Sequence, residues 1–128
     1  MVATKEQYKQ ALKGLRDGGH LRNSKYLDLI KAQHSSEKHT ITATNLAKAA
    51  GYKNYNAANL QYGTMAKIVA GHLGYMPPKR ANGDHMWWCT LSDGNMASDE
   101  TMDGHFEFVM HPELVEALEE MRWAKPIS

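Results

Sequence analysis

Apolar residues recur along this chain with two different periods. Through most of its length they return every three or four positions, the spacing of one helix face; near the end they alternate, the spacing of a strand. Tyr8, Leu12 and Leu15 predict a first helix that starts after Thr4, where Thr4 and Gln7 form a capping box, and stops at the "DGG" of residues 17–19. Tyr26, Leu27, Leu29 and Ile30 predict a second helix over residues 24–33. The polar loop "HSSEKH" leads to a short extended piece around Ile41. Thr42 is placed to cap a third helix over residues 43–50, with Leu46, Ala47 and Ala50 inside and Gly51 at a left-handed C-terminal position. A tight turn, "YKNY", precedes a fourth helix, expected from an Asn56 cap to Gly74; Pro77 and Pro78 forbid its continuation.

The last third reads differently. "MWWCTLS", residues 86–92, is expected as an aromatic strand, which places Trp87 and Trp88 on opposite faces, one buried and the other packed or exposed as an anchor. "HFEFVMH", residues 105–111, alternates, with Phe106, Phe108 and Met110 on one face. The pair forms a hairpin with a long polar tip. Pro112 opens a final helix with Glu113 and Glu116 in its first turn and Leu114, Leu118 and Met121 inside, ending near Trp123. The fold class expected is α+β: a winged helix-turn-helix with an extra N-terminal helix, a long-tipped β-hairpin and a C-terminal helix. Residues 1–128 form one domain, divided into an N-terminal extension (1–20), a helical half (24–74), the hairpin (86–111) and the last helix (112–123). In a helix-turn-helix the second helix of the unit enters the DNA major groove.

Composition adds little to this, and charge adds much. At 128 residues with 42% apolar and 23% charged side chains, the chain suits one domain with its own core. Cys89 is the single cysteine, so no internal disulfide forms, which fits a reducing compartment. No apolar run approaches a membrane span, and the N-terminus is polar and periodic rather than a signal peptide; a cytoplasmic protein is expected. The net charge of +1 conceals a segregation: residues 38–83 hold six bases and no acid, whereas residues 84–128 hold ten acids and two bases. A basic face suits a polyanion and an acidic face does not.

Helical spacing of about 100° per residue places Ala57, Met65, Ile68, Val69 and Leu73 on one side of the fourth helix. Asn56, Asn59, Gly63, Lys67 and Ala70 fall opposite. Asparagine amides bond adenine's N6 and N7 together in the major groove, glycine admits a close backbone, and lysine meets phosphate. The candidate DNA-binding residues are therefore Asn54, Asn56 and Asn59 toward bases, Lys48, Lys53 and Lys67 toward phosphates, and Tyr55 and Gly63 beside them. Structural readings stand next to these. Asn56 serves as a cap, Gln61 bonds backbone inside the domain, Tyr62 packs at the core edge, and Tyr52 and Tyr55 brace the turn.

The run "ITATNLAKAAGYKNYNAANLQYGTMAKIVAGHLGY", with "WWCTLS" and "GHFEFVMHPELVEALEEMRW", resembles a bacterial and phage winged-helix-like family. That family occurs as small stand-alone proteins and beside HNH-type nuclease domains. The resemblance covers residues 41–123 and implies a phage or defence setting with DNA handling. Too few residues follow Trp123 for a nuclease domain, so nuclease chemistry is not expected here.

Other chemistry finds little support in the pattern. The seven histidines are scattered and no cysteine pair accompanies them, so no metal site is expected. His111 reads as a cap before Pro112, and Cys89 as core. There is no phosphate-cradling glycine loop and no catalytic motif, so no catalytic residue and no cofactor are expected. The tip "SDGNMASDETMDG" argues against an ordinary DNA-gripping wing, because it holds acids and no base. The alternative partner is thus a basic protein effector. An inhibitor or adaptor of anti-CRISPR or anti-restriction type would dock through Asp93, Asp99, Glu100 and Asp103 beside Trp87 or Trp88. The first helix offers a further surface for a homodimer.

Overall fold

Helix α1 (Lys5–Asp17) begins where its capping box puts it: Thr4 Oγ1 accepts the Gln7 amide at 3.1 Å, and Gln7 Oε1 accepts the Thr4 amide at 2.8 Å. The computed structural model describes residues 1–94 and 106–127. Helix α2 (Tyr26–Ser35) starts two residues later than the pattern suggests, because Ser24 turns its hydroxyl back to donate to the His20 carbonyl at 2.7 Å. Strand β1 (Thr40–Thr42) and helix α3 (Ala43–Ala50) follow as expected. Thr42 accepts the Asn45 amide at 3.2 Å, and Gly51 closes α3 at φ 78°, a conformation open to glycine at little cost.

Helix α4 (Tyr55–Leu73) starts earlier than expected. Its cap is Asn54, with extended backbone and an Oδ1 that accepts the Ala57 amide at 2.9 Å; Asn56 lies inside the first turn. Two further expectations fail in the aromatic stretch and at the C-terminus. Trp87–Thr90 coils as a 3₁₀ turn rather than extending, with the Cys89 amide on the Met86 carbonyl and the Leu91 amide on the Trp88 carbonyl, both at 3.0 Å. This turn packs against α4, and that contact wins over the strand preference of the aromatics. Strand β2 is confined to Ser92–Gly94, β3 to Glu107–Met110, and α5 to Pro112–Glu120. Helix α5 stops short of Trp123 because Arg122 turns left-handed (φ 61°) while the Trp123 amide reaches the Leu118 carbonyl at 2.9 Å. His111 precedes Pro112 without a side-chain cap; its Nε2 donates to the Cys89 carbonyl at 2.8 Å instead.

Among the described residues the architecture is α+β, with five α-helices and one antiparallel sheet in the order β1-β3-β2. Phe108 pairs with Ile41 on one side and Gly94 on the other. Gly94 sits in close approach, since a Cβ there would run into the Phe106 ring. Helix α1 is no mere extension. Tyr8, Leu12 and Leu15 are buried where it packs on α4 and α5.

A closed polar ring crosses the core. Tyr62 is fully buried rather than at the core edge, and its hydroxyl donates to Gln33 Oε1 at 2.6 Å. Gln33 Nε2 donates to Ser92 Oγ at 2.8 Å and to the Phe108 carbonyl at 3.1 Å, and the Ser92 hydroxyl completes the ring on Tyr62 at 2.7 Å. The interior amide is thus Gln33, where Gln61 was expected; Gln61 is half-buried. Burial holds the Tyr62 phenol well above its ordinary range against the opposing bonds of Ser92 and Gln33. Burial, followed by the Glu113 charge, does the same for Tyr8, whose hydroxyl donates to the Thr90 carbonyl at 2.6 Å. Both folded-state values exceed the unfolded one. Their stabilisation is therefore complete below about pH 10 and is lost as pH rises beyond it. Denaturant midpoints measured from neutral to strongly alkaline pH are expected to fall above that point, and less steeply in Tyr62→Phe.

Candidate nucleic-acid interface

The outer face of α4 is the floor of an open groove. Asn56, Asn59 and Lys67 are exposed along it, and Gly63 is half-exposed between them, where an added Cβ would meet nothing within 4 Å. The buried arc of α4 is centred on Ala58, Tyr62, Met65, Ala66 and Val69. It also takes in Ala70, which the sequence placed outside, and leaves Ala57, Ile68 and Leu73 half-exposed. Leu60, which no apolar count assigned to the outside, stands 66% exposed between Asn59 and Gly63.

The opposite wall comes from the segment after Pro78. An isolated bridge pairs Lys79 with His85, and Asn82 Oδ1 accepts the Asp84 amide at 2.9 Å, folding residues 80–84 into a tight turn. Arg80, Asp84, His85, Trp87 and Trp88 then face Asn59, Gly63 and Lys67 across a space of about 690 Å³. Lys67 Nζ lies 5.5 Å from the Trp87 ring centre, within cation–π range, so the two sides of the groove meet there. Trp88 is held differently, by edge and tilted contacts to Phe106 and Phe108, each at 5.4 Å. Neither tryptophan stands free, and both border the same groove.

Helix α3 and the turn after it carry further charge in the chain just before α4. Lys48 and Lys53 are exposed. Tyr55 is half-buried against the core, as is Tyr52, over whose ring Lys25 sits at 5.0 Å. Asn54 is committed to its cap, so Asn54→Ala is expected to cost about 1 kcal/mol of stability, read as a lower thermal midpoint. Among the described residues, none of Lys48, Lys53, Lys67, Lys79 and Arg80 is paired with a carboxylate. Helix α1 differs. Lys5 and Lys9 both bind Glu120, whose hydrogen bonds raise their pKa values and lower that of Glu120. Asp93 is exposed on β2, with its carboxylate 3.6 Å from His111 Nδ1. Asp99, Glu100 and Asp103 lie outside the described residues.

Cys89 is half-buried, and burial followed by the Asp93 charge pushes its thiol up, opposite to what activates a nucleophile. Among the described residues no helix is long and apolar enough to cross a membrane. Comparison of the chain with family models, with curated proteins and with solved structures returns no match.

Proposed function

We propose that this chain is a non-enzymatic winged-helix protein that binds double-stranded DNA through the first half of α4, in a phage or bacterial defence setting. The observation that carries the reading is the placement of Asn56, Asn59, Gly63 and Lys67 along one open groove, beside cations that form no ion pair among the described residues. The element order supports it. Strand β1 is followed by α3 and α4, joined by a short turn, and then by β2 and β3, which return with β3 central. Asn56 and Asn59 face base edges. Lys48, Lys53 and Arg80 face phosphates, and Asn54 acts through its cap rather than by contact.

Fluorescence anisotropy on a labelled mixed-sequence duplex tests this. With three to four phosphates neutralised, log K is expected to fall with log salt at a slope of about −3. Asn54→Ala leaves the affinity of the folded protein unchanged.

One observation favours a second reading. Leu60, Trp87 and Trp88 give the same groove an apolar element that suits an anchor residue of a protein partner. Such docking predicts an affinity insensitive to salt and no binding to the duplex.

A further inference from the structure

We infer that His34, His39 and Glu119 form a binding site for a divalent transition-metal ion, with zinc the ion that best suits the donors. The sequence pattern predicts no metal site, because these residues come from three separate places. His34 ends α2, His39 precedes β1 and Glu119 closes α5. In the fold, one ligand atom from each lies within 4.8 Å of the other two.

The donor set has the right chemistry. Two imidazoles and one carboxylate form a three-ligand zinc site that leaves a fourth position for water. Around a tetrahedral zinc, N and O donors sit roughly 3.3 Å apart, given metal–ligand bonds of about 2.0–2.1 Å. His34 Nε2 already stands 2.8 Å from Glu119 Oε2, so the ion enters by a small parting of that pair.

The surroundings aim the third ligand. Lys38 and His39 are consecutive non-glycine residues in the left-handed region, at φ 55° and 54°. That conformation is costly for both side chains, and such residues gather at functional sites. Here it turns the His39 ring to within 4.7 Å of the His34 ring. His39 Nδ1 donates to the His34 carbonyl at 2.6 Å, which fixes the tautomer and leaves the lone pair on Nε2. A backbone carbonyl in this role is the usual outer partner of a metal-bound histidine. His34 is buried and also borders a cleft with Lys31, Ser35, Arg122 and Trp123, which gives the ion a way in. Bound there, the ion ties the turn after α2 to the end of α5, remote from the α4 groove. It is independent of the DNA reading.

Calorimetric titration of the full chain, free of any affinity tag, with zinc sulfate tests the site. The expected result is one ion per chain and a raised thermal midpoint with zinc but not with magnesium, which prefers oxygen donors. Cobalt is expected to show the ligand-field bands of a four-coordinate ion. His39→Ala and Glu119→Gln are each expected to weaken zinc about tenfold or more, whereas His20→Ala, on an exposed histidine, leaves it unchanged. Neither test variant removes the buried His34, and thermal midpoints without metal verify that both fold. No saturable binding, or a smaller loss in His39→Ala, overturns the inference.

Discussion

Lys53→Glu combined with Arg80→Glu is expected to weaken duplex DNA binding about a hundredfold near 0.1 M salt and to flatten the salt slope by about two. The two residues belong to different segments beside α4. Lys53 lies in the turn before the helix and Arg80 in the turn that forms the far wall. Both side chains are exposed and neither is paired with a carboxylate among the described residues, so their reversal breaks no ion pair there. The unfolding free energy should therefore stay within about 0.5 kcal/mol of the parent's, as for ordinary surface changes. Asn59→Ala is expected to behave otherwise. It costs about 1–3 kcal/mol on the preferred sequence and little on others, because an amide reads a base edge where a lysine reads only phosphate. Anisotropy on a small panel of duplexes separates the two patterns. A loss that is equal across sequences for Asn59→Ala would remove base reading from α4.

Gln33→Leu is expected to lower stability by about 2–4 kcal/mol. Leucine fills a similar volume, so packing loss is minor. The damage is electrostatic. The substitution removes the acceptor of the Tyr62 proton and the donors to Ser92 and the Phe108 carbonyl, all in the dry interior. Gln33 joins α2 to α4, β2 and β3 through these bonds, and a partly satisfied network costs more than an apolar one. Urea unfolding should show a reduced midpoint with the slope retained. Tyr62→Phe is milder, because Gln33 keeps its two donor bonds. If Gln33→Leu left the midpoint unchanged, the ring would be an ornament of the core rather than a brace.

The local chemistry of caps made much of the fold readable. Thr4 with Gln7, Thr42 and Gly51 each satisfy backbone groups by themselves, and α1, β1 and α3 fall where these residues put them. The start of α4 was misplaced: Asn56 reads as a good cap, but Asn54 holds that place, with extended backbone and a side chain that accepts the Ala57 amide. The phase of α4 was misjudged for a related reason. Its buried arc is built from Ala58, Ala66 and Ala70 around Tyr62, and small side chains give a faint apolar signal. The tryptophans illustrate tertiary override. Their strand preference yields to a 3₁₀ turn packed on α4. Half of the candidate site was legible, namely the stripe of Asn56, Asn59, Gly63 and Lys67. The facing wall was not, since Arg80 reaches the groove only through the Lys79–His85 bridge. The histidine cluster was invisible in the sequence for a plainer reason: His34 and Glu119 are 85 positions apart.

Titration of isotopically labelled protein with a short duplex at low salt, followed by amide NMR shifts, tests the central claim most directly. Shifts are expected to concentrate in the turn before α4, along its outer stripe at Asn56, Asn59, Gly63 and Lys67, and around Arg80. The amides of α1 and α5 stay in place. Shifts gathered on another face, or none at all under conditions where the groove is open, would contradict it.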